Sequence, residues 1–272
     1  MSGGKTGKRG TGNHLSDSDR MCPRRRPRTP GHGEDPRPLA TPIQPLALVP
    51  AVLLVRHAQA SFGAADYDVL SARGIEQSQA LERELLRRGT CLDRVVTGTL
   101  RRQRDTVASL AATARKPGLV DARWDEYSAD DILGTYSDSP VRLSTPRAPR
   151  ITTSEVQQIL DQALLGWIGS GEQRAGAESW RAFCDRANAA LDELLDMLGQ
   201  GETALVCTSG GVLAAICVRL LNLGGTAFVP FNRVAVNTGI TKIVRGRRGS
   251  TLISFNEHGH LELPGGSLLT YR

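Results

Sequence analysis

Arg56 and His57 close an apolar run, Ala51 to Val55, in the stretch AVLLVRHAQAS. A guanidinium beside an imidazole can hold an anion and attack it. The first offers planar, permanently charged donors, and the second a ring nitrogen that serves as nucleophile or base. Comparable groups follow other short apolar runs: Arg101 and Arg102 after DRVVT, Glu126 after LVDARW, and Thr208, Ser209 and Gly210 after TALVC. Arginines match phosphate oxygens with charge-assisted bonds. A nearby cation keeps an imidazole neutral and nucleophilic, and a glycine-led helix start adds N–H groups at a positive dipole end. Together these are the parts for transferring a phosphoryl group. Each also has a plainer reading: an Arg-His pair that opens a loop, solvated helix arginines, an exposed loop acid.

Placement separates the two readings. In open α/β sheets, ligands sit beyond the carboxyl ends of the strands. Ala51–Val55 reads as a buried parallel strand. A helix is predicted from Ser71, its N-cap, with Ile75, Leu81, Leu85 and Leu86 on one side and Gly89 as its stop. Asp93–Thr97 is a second strand, leading into one helix from about Thr99 to Arg115. Leu119–Trp124 is a third strand. Residues 128–177 break the rhythm, with a turn-rich Gly134–Pro149 and an amphipathic helix Ser154–Ile168. That helix either caps the mouth of a site or packs on the sheet. A helix from about Ala177 to Leu198, strand Thr203–Cys207, helix Val212–Leu221 and a hairpin-like pair, Asn237–Arg245 and Thr251–Phe255, complete the pattern. The alternation predicts an α/β class, a three-layer α/β/α sandwich with a mostly parallel central sheet and a helical insertion.

Composition bounds the function. The chain has 272 residues, is 23% charged and carries a net charge of +6. Residues 1–49 hold nine Lys/Arg against four Asp/Glu, so +5 of that charge belongs to an Arg/Pro-rich tail. Such a segment buries too little apolar surface to offset its ordering entropy and is expected to be disordered. Residues 50–272 then form a nearly neutral domain for which no specific nucleic-acid binding is expected; Arg24, Arg25, Arg26 and Arg28 of the tail could touch nucleic acid or anionic lipid, although a solvated extension is the plainer reading. No run reaches the roughly 18 apolar residues of a membrane span. The prolines at 45 and 50 and the long basic lead argue against a signal peptide. A cytoplasmic protein with reduced thiols is expected, given five cysteines without a framework. No zinc-type spacing exists, so no metal or other cofactor is expected. Oligomeric state is not legible.

On these residues the chain resembles the histidine phosphatase superfamily, with its phosphoglycerate mutase-like fold. VRHAQAS resembles the strand-ending Arg-His-Gly signature, and TGTLRRQRDT the Ser-x-Leu-x-Arg-x-x-x-Thr helix start. DARWDEY resembles the segment carrying the acid, LVCTSGGVLAA the segment with a second histidine, and SFNEHGHL a closing segment. The resemblance covers about residues 51–262. It implies a phosphomonoesterase acting on a small phosphorylated substrate through a phosphohistidine. His57 would be the nucleophile and Glu126 the proton donor. Arg56, Arg102, Ser61, Ser209 and Gly210 would bind substrate.

Two departures stand out. Ala58 replaces the glycine after Arg-His, and Ser209 occupies the place of the second histidine. A neutral hydrogen bond contributes about 1 kcal/mol where a charged one contributes roughly 1.5–3, so a slower enzyme or a different substrate geometry is expected. His260 is a candidate to restore the missing cation, although a satisfied rim histidine is the plainer reading. Three alternatives stay open. A mutase would need a retained bisphosphate. A serine esterase would use Ser209 as a nucleophile elbow, although Cys207 breaks G-x-S-x-G. A degenerate domain would only bind a phosphorylated ligand or partner.

Overall fold

The computed structural model describes residues 49–61, 67–137, 141, 143, 152–171, 177–263 and 266–271. The expected tail, apart from Val49, lies outside them, as do most of residues 138–151 and the loop residues 62–66. In chain order the first elements are β1 (Ala51–Arg56), α1 (Ala72–Arg87), β2 (Arg94–Thr97), α2 (Arg101–Thr106), α3 (Ala108–Thr113) and β3 (Leu119–Val120). Helices α4 (Ala129–Tyr136), α5 (Thr153–Gly169) and α6 (Trp180–Met197) follow, then β4 (Thr203–Thr208) and α7 (Gly210–Leu220). The chain closes with α8 (Phe228–Val234), β5 (Ile240–Gly246), β6 (Gly249–Glu257) and a small pair, β7 (Glu262–Leu263) and β8 (Gly266–Ser267).

The main sheet has the order β3-β2-β4-β1-β5-β6. The first four strands are parallel, while β5 runs antiparallel to both β1 and β6. The long apolar run is therefore an interior strand, buried along its whole length. Its pleat sends Val52 and Leu54 into one core and Leu53 and Val55 into the other. The larger core takes α5, α6, α7 and α8, and the smaller takes Leu81 and Leu85 of α1 with Val107 and Leu110. These are the three layers of the expected sandwich. The ends of β1, β2 and β4 consequently meet at one edge.

Several boundaries differ from expectation for visible reasons. The helix predicted from Thr99 to Arg115 is two helices, broken at Val107 (φ −122°, ψ 17°). Thr106 Oγ1 donates to the Arg102 carbonyl at 2.6 Å, the back-bonding that distorts helices. The third strand stops after two residues because the Asp121 side chain accepts the Arg123 N–H and starts a 3₁₀ turn. In α1 the buried face is Gly74, Gln77, Ala80, Leu81 and Leu85, whereas Ile75 and Leu86 face solvent. Helix α5 is no free cap. Val156, Leu160, Ala163, Leu164 and Trp167 enter the larger core, and Trp167 joins Tyr127, Trp180, Phe183 and Phe228 in one aromatic cluster. Cys184, Cys207 and Cys217 are free thiols, whereas Cys91 is disulfide-bonded, against the expectation for it.

Candidate active site

His57 follows β1 and is 5% exposed. Its ring nitrogens have distinct partners. Nδ1 lies 2.8 Å from the Ala58 carbonyl, and Nε2 lies 3.2 Å from Nε of Arg102, which donates to it. A guanidinium N–H can only donate, so Nε2 must offer its lone pair and the proton resides on Nδ1. The ring is thereby presented as a neutral imidazole with its nucleophilic nitrogen against a cation. Arg102 itself is 9% exposed. Its Nη1 donates to Asp68 at 2.6 Å, and the same carboxylate accepts the Arg101 N–H at 2.6 Å. Asp68 thus caps α2 from outside, since Leu100 at the N-cap has no side chain able to do so. Arg56 is 6% exposed and its guanidinium bonds the Ala235 carbonyl.

The backbone after His57 is also held. The Ala58 N–H donates to Thr106 Oγ1 at 2.9 Å, so the residue that breaks the α2–α3 helix also ties it to the β1 loop. Ala58 is fully buried, and its methyl is accommodated. The Gln59 N–H donates to Gln77, and the His57 carbonyl accepts from Asn237. Thr106 closes the quoted helix-start pattern but was given no role there, and neither Gln77 nor Asn237 was selected from the sequence, because polar residues inside apolar periodic segments give no signal of their partners. Ser61 is fixed through its backbone, its N–H donating to the Val69 carbonyl at 2.8 Å.

Glu126 lies on the segment after β3, which is pinned from several sides. Arg186 Nη1 donates to the carbonyls of Arg123 and Asp125, and Thr208 Oγ1 to that of Trp124. Tyr127 is 4% exposed in the aromatic cluster, and its hydroxyl accepts from Asn232. The Glu126 carboxylate then reaches the N-terminus of α7 and accepts the Gly211 N–H at 3.0 Å. A methyl on Gly211 would sit 2.2 Å from that carboxylate, so the close approach requires glycine. Gly210, the glycine expected to bind substrate, opens α7 beside Asn232, where a methyl would meet Oδ1 at 2.8 Å.

Ser209 is wholly buried. Its Oγ accepts Nε2 of Gln103 at 3.0 Å, and that amide also donates to the Trp124 carbonyl. The hydroxyl faces an amide rather than a base and is shielded from solvent, the opposite of an exposed nucleophile elbow. His260, a candidate cation on the sequence, is not charged at neutral pH. Its Nε2 lies 3.3 Å from Thr238 Oγ1, and burial lowers its pKa to about 4, so the ring is uncharged at neutral pH. Among the described residues no cluster of His, Cys, Asp and Glu could hold a metal ion, and no helix is long and apolar enough to cross a membrane.

Known structures share this architecture. Bacillus stearothermophilus YhfR aligns with a TM-score of 0.59 at 19% identity, covering 78% of this chain and 100% of that one. The alpha-ribazole phosphatase of Shigella flexneri aligns at 0.54 and 19%, covering 76% and 96%. The phosphoserine phosphatase of Entamoeba histolytica aligns at 0.52 and 17%, covering 78% and 99%. At these identities the likeness is one of fold. No curated protein matches. The sequence pattern itself decides the family: the model of the histidine phosphatase superfamily (branch 1) matches residues 52–258, from the strand that carries His57 to the end of the sheet, and the chain belongs to that superfamily.

Proposed function

We propose that the protein hydrolyses phosphomonoesters of small molecules through a phosphohistidine on His57. The observation that carries this reading is the Arg102 Nε–H donated to His57 Nε2. That bond selects the nucleophilic tautomer and places a cation where a phosphoryl group would arrive. As the Nε2 lone pair closes onto phosphorus in line, the P–N bond forms and the P–O bond to the alcohol breaks. Arg102 then loses its acceptor on the ring and can transfer its N–H to a phosphoryl oxygen, as can Arg56. Glu126, protonated in this step, gives its proton to the departing alkoxide. In the second step its carboxylate takes a proton from water, which attacks phosphorus and breaks the P–N bond. The Gly211 N–H at the start of α7 holds that carboxylate in place, which supports this role.

Ser209 sets the expected vigour. Its oxygen is engaged by Gln103, so the phosphoryl group gains at most a neutral donor on that side. A weakened hydrolase fits this better than a mutase, which must also retain a bisphosphate. The test is direct. Purified protein, with His57→Ala and Ser209→Ala variants, is offered an aryl phosphate and an aryl ester. Phosphate release abolished by His57→Ala and retained by Ser209→Ala supports hydrolysis through His57. Ester cleavage lost with Ser209→Ala would mean an esterase. No turnover, with inorganic phosphate still raising the melting temperature, would mean a domain that binds a phosphorylated ligand without cleaving it.

A further inference from the structure

We infer that Gln77, Thr270 and Asn237 form a hydrogen-bonded belt that positions the nucleophile, and that the segment around Thr270 belongs to the working site. The inference rests on the reading of His57 as nucleophile. The belt runs from the backbone after His57 to the backbone of His57 itself. The Gln59 N–H donates to Gln77 Oε1 at 2.8 Å. Gln77 Nε2 donates to the Leu268 carbonyl at 2.8 Å and to Thr270 Oγ1 at 2.7 Å. Thr270 Oγ1 donates to Asn237 Oδ1 at 2.9 Å, and Asn237 Nδ2 donates to the His57 carbonyl at 2.8 Å. A backbone bond from the Asn237 N–H to the Thr270 carbonyl, at 3.0 Å, closes the belt behind.

Its polarity is dictated from both ends. The Gln59 N–H can only donate, so Gln77 must turn its oxygen there and its NH₂ toward Thr270. The His57 carbonyl can only accept, so Asn237 must turn its NH₂ there and its oxygen toward Thr270. One residue type therefore fits between them: a hydroxyl, which accepts from one amide and donates to the other. Gln77 is fully buried and Asn237 is 5% exposed, so a broken link leaves polar groups without water to replace it. The peptide planes on either side of Ala58 are the ones held. The Ala58 carbonyl is the acceptor that orients the imidazole. The belt thus acts on ring geometry, while nothing in it touches the phosphoryl group. Gln77, Thr270 and Asn237 are positioning residues.

The discriminating variants are Thr270→Val, which keeps the shape and loses the hydroxyl, and Thr270→Ser, which keeps the hydroxyl. Asn237→Asp serves as a second break, setting an acceptor against the His57 carbonyl. With the full chain and an aryl phosphate, Thr270→Val and Asn237→Asp should lower kcat about 10-fold or more, as small misplacements of reacting groups do. KM should stay within about twofold because the phosphate-binding arginines are untouched, and Thr270→Ser should restore kcat. Unchanged kcat in Thr270→Val, or a lower melting temperature with full kcat in the folded fraction, overturns the inference. If the wild-type chain shows no turnover, the functional reading fails separately. The belt is then read by ¹⁵N resonances of the His57 ring. A single Nδ1-protonated tautomer in wild type and Thr270→Ser, lost in Thr270→Val, supports positioning, and identical rings in all three overturn it.

Discussion

The two halves of the candidate site are built on different principles. On the side of β1 and α2, His57, Arg102 and Asp68 form a chain of charged and charge-assisted contacts at 3.2 and 2.6 Å. On the side of β4 and α7, Ser209 makes a neutral, fully buried pair with Gln103 of α2, and the Glu126 carboxylate meets the helix start. On the proposed reading, the first half binds and attacks a phosphate and the second moves the proton. Position 209 holds an uncharged hydroxyl, and the amide at position 103 occupies one of its acceptor sites.

If that contrast holds, variants should rank by half. His57→Ala should abolish phosphate release, a loss on the order of 10⁴ or more, as for other removed nucleophiles. Acid-labile phosphate on the protein, trapped by rapid quench, should vanish with it. Arg102→Ala should cost on the order of 10²–10³ in kcat, the size of a lost preorganised electrostatic donor, and a loss under fivefold would put the charged half in doubt. The contrast can also be reversed. Ser209→His alone should overpack a buried position, whereas Gln103→Ala with Ser209→His makes room for an imidazole. Relative to wild type, that double variant should gain on the order of 10-fold in kcat, the difference between a charged and a neutral hydrogen bond. Ser209→Ala should cost less than about 10-fold, since one neutral hydrogen bond contributes only about 0.5–1.5 kcal/mol.

The smallest effect on turnover belongs to His260. His260→Gln should leave kcat at neutral pH unchanged but alter stability against pH. The folded-state pKa is lowered from 6.5 to about 4, mainly by burial. Above about pH 6.5 the ring is neutral whether folded or unfolded. Below that the unfolded chain takes the proton first, so stability is lost as pH falls toward about 4. His260→Gln should flatten this slope in thermal melts between those limits. A variant as steep as wild type would show that the proton is taken elsewhere.

How much was legible depended on whether a signal was local. The strands were, because β1, β2 and β4 are short apolar runs bounded by polar groups, and their ends placed Arg56, His57, Arg102 and Ser209 at one edge. The Ser71 cap and the Gly89 stop were local too, and Gly89 indeed has φ +61°. What misled was periodicity without partners. Ile75 and Leu86 belonged on the apolar side of α1 by type, yet the buried positions include Gln77, whose NH₂ donates to groups almost 200 positions away. Helix α8 was not anticipated, and neither was the bond from Gly211 to Glu126, because it depends on how α7 is entered.

By itself the sequence determined the family, through motifs that resemble it, the principal strands that carry them, and the residue types available for phosphoryl transfer, since these are read along one line. Tertiary structure alone decided that the His57 proton rests on Nδ1, that Ser209 is taken by Gln103 and that His260 is uncharged. Each of those outcomes is fixed by a donor, an acceptor or a loss of solvent contributed from a distant part of the chain. No local pattern encodes such a partner.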